Sequence, residues 1–427
     1  MLVASPRKGS DPLEAKEHLE ELARLTDTAG GDVVGVLQQF IEAPNPRFYI
    51  GEGKVEELRE LIEAQEADLV VFDEELSPGQ GKNLETALNT RVMDRPELIL
   101  DIFATRARTR ESKMQVELAQ LQYLLPRITR MWNHLSRQRG GIGLRGPGET
   151  QLETDRRLIG NRISLLREKL KEVAQARAVR REGRRGQFRV ALVGYTNAGK
   201  SSVLRALSGA NVLVEDRLFA TLDSATRSVD LGEGFEALVT DTVGFIRKLP
   251  HHLIASFRST LEEAREADLL LHVMDVSHPD LEEHRLVVKE VLEELELDDR
   301  PQVLVFNKVD RITHEEERAL RERAHSLESS PAVFVSALEP ESLEELKDTL
   351  RVRVRAQMAA VTLRIPARDG EALATAYREG EVLDARSEGG DMIVEARLPE
   401  AVLGRLRQRT GISLEDADST AGASKGE

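Results

Sequence analysis

Short apolar runs alternate with segments of helical spacing along the N-terminal part of the chain. The predicted strands are Asp32–Ile41, Asp68–Phe72 and Arg91–Asp94, and the predicted helices are Leu13–Leu25, Lys54–Ala64 and Gly81–Leu88. Strands that alternate with helices favour a small parallel α/β unit. The residues before Leu13 carry Pro, Ser and charge, and we expect them to form a disordered tip.

A long helical pattern follows. Leu98–Arg137 lacks glycine, and Thr154–Arg181 repeats apolar residues at helical spacing beside a heavily charged face. Two such segments predict a long antiparallel helical hairpin that buries a shared apolar stripe. Its tip, Gly140–Arg157, reads GGIGLRGPGETQLETDRR, and its glycines and flanking arginines predict a flexible loop that presents cationic side chains. A tip with so few residues to bury favours a contact role over a plain connector.

The pattern changes again at Phe188–Val193 (FRVALV), a β-branched run typical of a buried parallel strand. The next residues, Gly194–Ser201 (GYTNAGKS), fit the phosphate-loop pattern G-x-x-x-x-G-K-[ST], and a helix is predicted from Ser202 onward. In such a loop, backbone amides and a helix N-terminus cradle a polyphosphate. We expect Lys200 to reach the β and γ phosphates and Ser201 to bind Mg²⁺.

Three further motifs follow the ends of predicted strands. DTVG supplies Asp241, expected to hold Mg²⁺ through water, and Gly244, whose amide is expected to face the γ phosphate. NKVD follows the predicted strand Gln302–Phe306, and Ser336–Leu338 follows the predicted strand Ala332–Val335. The carboxyl ends of strands in a doubly wound sheet open on one crevice, so the motifs predict a single nucleotide site.

The NKVD motif predicts which base is bound. A carboxylate accepts from both the N1 and N2 hydrogens of guanine, which adenine does not offer, so Asp310 is expected to select GTP over ATP. Lys308 is expected to lie along the base plane, and Asn307 to connect the base loop with the phosphate loop. The Ala337 amide is expected to meet guanine O6.

The segment Leu218–Arg227 (LFATLDSATR) is polar and aperiodic, as a switch loop is. It should supply a threonine to Mg²⁺ and the γ phosphate; Thr221 is the first choice and Thr226 the reserve. Phe245 stands directly after DTVG, where many GTPases carry a Gln that orients the attacking water. Intrinsic hydrolysis should therefore be slow, and a partner, a cation or another residue must supply the missing polarisation.

Composition and charge narrow the chemistry further. The chain contains no Cys, which excludes disulfides, thiolate metal sites and a Cys nucleophile. No apolar run approaches a membrane span, and we expect a cytoplasmic monomer. Between Arg106 and Arg189, 21 Lys and Arg accompany 8 Asp and Glu, a local charge of +13 in a chain of −15. An arginine-rich segment favours a polyanionic partner, although a solvated helical face is the alternative.

The residues around these motifs resemble the HflX family of GTPases. The resemblance covers nearly the whole chain and rests on PNPRFYIGEGKVEEL, GGIGLRGPGETQLETDRR, GYTNAGKS, FATLD and DTVGFIRKLPHHLIASFRSTLEE. It implies a cytoplasmic, Mg²⁺-dependent GTPase that binds the 50S subunit and the 70S ribosome through ribosomal RNA and helps to split stalled or stressed ribosomes. GTPases with an apolar residue at the Gln position often use K⁺ bound partly by a phosphate-loop Asn. Asn197 matches that Asn, and the sequence leaves the use of K⁺ open.

The predicted site combines these assignments. The residues expected to bind GTP or GDP are Gly194, Tyr195, Thr196, Asn197, Ala198, Gly199, Lys200, Ser201, Ser202, Asp241, Thr242, Val243, Gly244, Asn307, Lys308, Asp310, Ser336, Ala337 and Leu338. Those expected to act in hydrolysis are Lys200, Thr221 and Gly244, and those expected to hold the metal are Ser201, Thr221 and Asp241. Those expected to contact the ribosome are Arg139, Arg145, Gly146, Pro147, Gly148, Arg156 and Arg157.

Two other functions remain open from the sequence. A GTP-dependent RNA-modifying or RNA-remodelling enzyme would need a second catalytic constellation, yet the chain has no Cys nucleophile, no HExxH and no second phosphate loop. A non-catalytic RNA-binding protein would not need Lys200, Ser201, Asp241 and Asp310 together.

The predicted fold class is α/β. A P-loop GTPase domain with a doubly wound sheet (188–355) is preceded by an α/β subdomain (1–104) and a basic helical hairpin (105–187). A small α+β domain with the order β-α-β-β-α (356–415) and a disordered tail (416–427) are expected to follow it.

Overall fold

The computed structural model describes residues 1–131, 147–182, 187–209, 217–249, 263–327, 330–409 and 411–416. The chain divides into two compact units. The first unit comprises 1–175, 215–223 and 248–260, and the second comprises 176–214, 224–247 and 261–427. The α/β class predicted from the sequence is confirmed in both.

The first unit contains a four-stranded parallel sheet in the order β2-β1-β3-β4. The strands are β1 (Leu2–Ala4), β2 (Val36–Gln38), β3 (Leu69–Phe72) and β4 (Arg91–Asp94). The prediction of a disordered tip is wrong. β1 is buried between β2 and β3, and the Met1 ammonium donates to the Leu69 carbonyl at 2.9 Å. β2 is much shorter than the predicted strand Asp32–Ile41.

Helices follow or precede each strand of this sheet, and polar side chains cap their first turns. The helices are α1 (Pro12–Thr28), α2 (Glu52–Gln65), α3 (Pro78–Leu88) and α4 (Arg95–Arg106). Asp11 and Asp94 accept from backbone amides at the starts of α1 and α4, and Ser77 and Gln80 form a capping box on α3.

The predicted helix Leu98–Arg137 is broken into α4 and α5 (Arg110–Met131). The break occurs because Thr109 caps the second helix: its hydroxyl accepts from the Ser112 amide at 3.1 Å. α6 (Pro147–Glu182) packs on α5 through the buried residues Met114, Leu118, Ile163 and Leu166. Residues 132–146, which hold most of the predicted tip, lie outside the described residues.

The second unit contains a six-stranded sheet in the order β10-β9-β8-β5-β7-β6, in which only the β6–β7 pairing is antiparallel. The strands are β5 (Arg189–Val193), β6 (Ala225–Gly232), β7 (Phe235–Asp241), β8 (Leu269–Asp275), β9 (Gln302–Asn307) and β10 (Ala332–Val335). The helices are α7 (Lys200–Ser208), α8 (Leu281–Glu294), α9 (His314–Leu327) and α10 (Glu344–Gln357). The aperiodic segment Leu218–Arg227 therefore ends in a strand, since Ala225 already pairs with β7.

The C-terminal residues form a four-stranded antiparallel sheet in the order β12-β13-β11-β14. Its strands are β11 (Ala359–Pro366), β12 (Glu381–Glu388), β13 (Asp391–Leu398) and β14 (Ser413–Asp416), and its helices are α11 (Gly370–Glu379) and α12 (Glu400–Arg407). The predicted order β-α-β-β-α thus gains a last strand. Asp416, expected in the disordered tail, pairs with Val361 instead, and 417–427 lie outside the described residues.

No helix among the residues that the structure describes combines the length and the apolar character that a membrane crossing requires.

Candidate guanine-nucleotide site

The phosphate loop depends on two glycines that no other residue can replace. Gly194 has φ 153°, and a Cβ there would lie 2.2 Å from the Val273 carbonyl oxygen. Gly199 has φ 95°, and a Cβ there would lie 2.2 Å from Asn307 Nδ2. Both distances are far below van der Waals contact, so any side chain would displace a neighbouring strand or the NKVD motif.

Lys200 lies buried at the start of α7, inside the loop that precedes it. Its Nζ donates to the carbonyls of Gly194 at 3.0 Å and Tyr195 at 2.8 Å. Burial lowers the pKa of Lys200 to about 8, and the nearby Asp241 carboxylate opposes this shift. The lysine is therefore a cation that the fold holds at a cost in solvation, which makes it suited to a polyanionic ligand.

Ser201 and Asp241 form a pair of oxygen ligands beside that lysine. The Ser201 hydroxyl donates to Asp241 Oδ2 at 2.5 Å. Hydroxyl and carboxylate oxygens are the ligands that Mg²⁺ prefers, so this donor set fits Mg²⁺. The side chains come from different elements, α7 and the end of β7, and the parallel pairing of β5 with β7 brings them together.

The DTVG turn is hydrogen-bonded to the phosphate loop. The Thr196 amide donates to the Phe245 carbonyl at 2.7 Å, and the Phe245 amide donates to the Gly194 carbonyl at 3.0 Å. A Cβ on Gly244 would lie 2.8 Å from the Thr196 Cα atom. Glycine at this position therefore permits the close approach of the two backbones.

The NKVD residues contact both the phosphate loop and the next strand. Asn307 donates from Nδ2 to the Ala198 carbonyl at 2.9 Å and accepts at Oδ1 from the Ala337 amide at 3.2 Å. Asp310 Oδ1 accepts from the Ser336 hydroxyl at 2.6 Å. One amide side chain thus connects three of the four predicted motifs.

Lys308 is held by a residue that lies outside the predicted motifs. Its Nζ donates to Asp275 Oδ2 at 2.5 Å and to the Asn197 carbonyl at 2.9 Å. Burial acts to raise the pKa of Asp275, but hydrogen bonds from Lys308 and Ser277 outweigh it and lower the pKa. The sequence does contain one indication of this role, because Asp275 ends the apolar run LLLHVMD, which precedes the NKVD strand in the chain.

His272, on the same strand, is fully buried. Burial, and then the positive charges of Arg285 and Lys200, lower the pKa of His272 to about 3, so the imidazole is neutral at any ordinary pH. Its position inside the sheet, and not at a strand end, explains why the motifs gave no indication of it.

The two candidate switch threonines lie in different local structures. Thr226 is in β6, and its hydroxyl oxygen lies 2.9 Å from that of Thr240 on β7. Thr221 lies in the loop that precedes this strand. Thr221 thus lies in irregular structure and Thr226 in a strand ladder, and the choice between them stays a prediction.

The second unit brings most of the predicted nucleotide-site residues to one edge of its sheet. Gly194–Ser202, Asp241–Gly244, Asn307–Asp310 and Ser336–Leu338 follow the carboxyl ends of β5, β7, β9 and β10. This edge is where doubly wound sheets bind their ligands.

The predicted ribosome contacts divide between described and undescribed parts of the chain. Arg156 and Arg157 are exposed on α6, which begins at Pro147 and Gly148. Arg139, Arg145 and Gly146 lie outside the described residues.

Three family models match the chain in sequence. A GTP-binding GTPase N-terminal model matches residues 16–104, a GTP-binding GTPase middle-region model matches 106–184, and a model described as a 50S ribosome-binding GTPase matches 189–308. Together they cover β2 to β4 of the first sheet, the two long helices and β5 to β9 of the six-stranded sheet.

Curated relatives match over nearly the full length. GTPase HflX of Magnetococcus marinus is 48% identical over 93% of this chain and 92% of its own, and GTPase HflX of Escherichia coli K12 is 43% identical over 90% of each. A GTP-binding protein of Sulfolobus solfataricus, solved in complex with GDP, is 24% identical with a TM-score of 0.44 over 83% of this chain and 99% of that one. From the phosphate loop, the motifs around it and the two HflX relatives, we conclude that the chain belongs to the HflX family of GTPases and hydrolyses GTP.

Proposed function

We propose that this GTPase binds the 50S subunit and the 70S ribosome, that ribosomal particles accelerate its slow intrinsic hydrolysis, and that it helps to dissociate stalled or stressed ribosomes. The description of the matched family model, a 50S ribosome-binding GTPase, names the partner of related proteins. The basic segment between Arg106 and Arg189 supplies the charge that a ribosomal RNA partner requires.

The burial of Phe245 is the observation that carries the proposal. The side chain is 2% exposed, and it occupies the chain position directly after DTVG at which many GTPases carry the Gln that orients the attacking water. An enclosed apolar ring can neither donate to nor accept from that water. Because the chain is nevertheless a GTPase, a partner is the simplest source of the missing polarisation.

The proposed division of labour follows the predicted domains. Residues 105–187 would contact RNA, with Arg156 and Arg157 as exposed phosphate ligands on α6 and the tip around Arg145 as a further contact. Residues 188–355 would bind the nucleotide. The α/β subdomain (1–104) precedes the basic hairpin, and the small α+β domain (356–415) follows the nucleotide-binding domain. The protein is proposed to act as a cytoplasmic monomer.

Within 188–355, Lys200 would contact the β and γ phosphates and Asp310 would select guanine. Mg²⁺ would be held by Ser201, by Asp241 through water and by Thr221, and it would neutralise charge on the phosphates. Asn197 would be the ligand for K⁺ if hydrolysis proves faster in potassium than in sodium buffer.

The test is GTP hydrolysis by the full-length protein alone, with 50S particles and with 70S particles. We expect turnover to rise at least about tenfold with ribosomal particles. Lys200→Ala is the matched control, because it removes the phosphate ligand and leaves the basic segment intact. Equal turnover with and without both particles would overturn the proposal, since the chain would then supply all of its own catalysis.

A second experiment separates RNA contact from nucleotide binding. Replacing Arg145 by Ala and deleting 146–148 should weaken co-sedimentation with 50S particles while the affinity for GDP stays unchanged. Arg318→Ala, an exposed arginine on α9 that lies outside the basic segment, is the control. Equal losses of ribosome and GDP binding would show that the tip serves the fold and not the contact.

A further inference from the structure

A second group of potential ligands lies outside the nucleotide motifs, at the start of α8. His278, Asp280 and His284 each offer one ligand atom, and these three atoms lie within 4.8 Å of one another. His278 lies in the turn that follows β8, Asp280 is the N-cap of α8, and His284 lies in its first turns. The residues are spaced H-x-D-x-x-x-H in the chain.

Backbone hydrogen bonds fix this arrangement. The His278 amide donates to the Asp275 carbonyl at 3.3 Å, and the His284 amide donates to the Asp280 carbonyl at 2.9 Å. Asp280 and His284 therefore lie one helical turn apart on the same side of α8. The rings of His278 and His284 have centroids 4.3 Å apart, so the turn brings the third ligand against the other two.

The protonation of His278 suits a metal ligand. Its Nδ1 accepts a hydrogen bond of 3.2 Å from the Asp280 amide, and a nitrogen that accepts carries no proton. The same Nδ1 lies 3.9 Å from Asp280 Oδ2. A lone pair and a carboxylate thus lie side by side, and a cation between them would be coordinated by both. A bound ion would take the place of the Asp280 amide proton at His278 Nδ1, because a metal–nitrogen bond is stronger than this hydrogen bond.

The site is also partly shielded from solvent. The side chains of His278 and Asp280 are 20% and 17% exposed. Partial burial strengthens the attraction between a carboxylate and a cation, while the remaining exposure gives an ion and its water ligands an entry path.

We propose that His278, Asp280 and His284 bind a divalent transition-metal ion such as Zn²⁺ or Co²⁺. Two imidazoles and one carboxylate are the donor set of these ions, whereas Mg²⁺ prefers an all-oxygen octahedron. At bonds of about 2.0 Å, ligand atoms around a tetrahedral ion lie roughly 3.3 Å apart. The three ligand atoms now lie within 4.8 Å of one another, so they would have to approach by at most about 1.5 Å to hold the ion.

The ion would act next to the phosphate loop. The ring of His284 stacks on Tyr195 with centroids 3.7 Å apart and an interplanar angle of 10°. The Tyr195 hydroxyl in turn accepts from the Arg247 amide at 3.0 Å, just beyond the DTVG turn. A metal that fixes His284 therefore restrains Tyr195, which connects the phosphate loop to the backbone just after DTVG. Because coupling between sites is reciprocal, metal affinity and nucleotide affinity should change each other.

The test is a titration of chelator-treated full-length protein with Co²⁺ in excess Mg²⁺, followed by visible absorption and by calorimetry. We expect one Co²⁺ per chain, visible bands that Zn²⁺ displaces, and an affinity roughly tenfold or more weaker in His284→Ala. Asp280→Asn should weaken binding equally and keep the helix, because the Asp280 side chain makes no capping hydrogen bond. His314→Ala, at an exposed histidine on α9, should bind as the wild type does.

Far-UV circular dichroism and a cooperative thermal unfolding transition show whether each variant is folded. The proposal is overturned if the wild type binds no Co²⁺. It is also overturned if folded His284→Ala and Asp280→Asn retain the stoichiometry and spectrum of the wild type, because the ion would then lie at other ligands.

Discussion

Thr109 donates a hydrogen bond of 2.6 Å from its hydroxyl to the carboxylate of Asp223. The amides of Arg108 and Thr109 donate to the other carboxylate oxygen at 3.0 and 3.3 Å, so Asp223 holds the two residues that precede α5. Phe219 meets Phe103 of α4 edge-on, with ring centroids 4.7 Å apart. The segment that contains the candidate switch threonine is therefore held on both sides of that residue by contacts with two helices.

Replacing Asp223 by Ala should lower the free energy of unfolding by about 1 kcal/mol, the usual net contribution of a protein hydrogen bond. Burial acts to raise the pKa of Asp223, but the hydrogen bonds from Thr109, Ser112 and the Arg108 amide outweigh it and lower the pKa. The Asp223 carboxylate therefore stabilises the fold at pH values above the ordinary Asp pKa of about 3.9. This stabilisation is lost as the pH falls through the lower pKa of Asp223 in the folded protein. Urea unfolding at several pH values measures both effects.

The control for Asp223 is Asp298→Ala, at an exposed carboxylate whose removal should leave the unfolding free energy unchanged. If Asp223→Ala unfolds like the wild type at neutral pH and in acid, the three hydrogen bonds contribute no net stability.

A buried arginine in the first unit makes a second prediction possible. Arg95 and Asp73 are both buried, and Arg95 Nη1 donates to Asp73 Oδ1 at 2.7 Å. Lys248 donates to the other oxygen of Asp73 at 2.6 Å from a side chain that is 43% exposed. Asp73→Ala should destabilise the protein by roughly 3 to 5 kcal/mol, because it leaves a buried cation with one partner fewer.

Lys248→Ala is the matched variant for the same carboxylate. It removes the exposed partner, and a solvent-screened pair is worth at most about 1 kcal/mol. Chemical denaturation compares the two variants directly. If Asp73→Ala and Lys248→Ala lower the free energy of unfolding equally, the burial of Arg95 does not determine the cost of removing Asp73.

The sequence predicted the nucleotide site better than the first sheet, and the reason is physical. Gly194 and Gly199 leave no space for a side chain, so the phosphate loop requires a fixed local pattern that is readable in one sequence. Leu2–Ala4 is too short to show any periodicity, and only its pairing with Val36–Gln38 and β3 makes it a strand. β14 was not predicted because it too is short and is recognisable as a strand only through its pairing with β11.

Interactions between residues far apart in the chain also could not be predicted from the sequence. The break between α4 and α5 depends on Thr109, an unremarkable residue whose carboxylate partner Asp223 lies 114 positions away. The His278 cluster depends on a tight turn that folds one histidine back onto α8. Neither arrangement follows from local spacing, because each needs the tertiary structure to bring its members together.

Lys200 predicts an unusual dependence of stability on pH. Its pKa is about 8 in the folded protein and 10.5 ordinarily, because burial disfavours the charged form. Between these values the unfolded chain binds more protons than the folded one, so stability rises with pH across this window. Below pH 8 the folded protein carries the full cost of the buried charge. Unfolding of nucleotide-free protein between pH 7 and 10.5 should show this rise against the background of other groups.

Lys200→Met isolates that contribution, because it keeps the apolar stem and removes the charge. The variant should be more stable than the wild type at pH 7, and the difference should shrink toward pH 10.5. A constant difference between the two proteins across the window would show that Lys200 does not titrate within it.

Phe245→Gln restores the residue type that many GTPases carry after DTVG, yet it should not restore their chemistry. The native side chain is 2% exposed, so a glutamine in its place is enclosed by protein and does not reach the attacking water. It also buries an amide where a ring was packed, which should cost roughly 2 to 4 kcal/mol of unfolding free energy. GTP turnover without ribosomal particles should therefore stay at the wild-type value or fall. Phe245→Leu, apolar and smaller, controls for the loss of packing. A severalfold rise in turnover for Gln and not for Leu would show that the side chain faces the phosphates, and that slow hydrolysis reflects a missing amide and not a buried position.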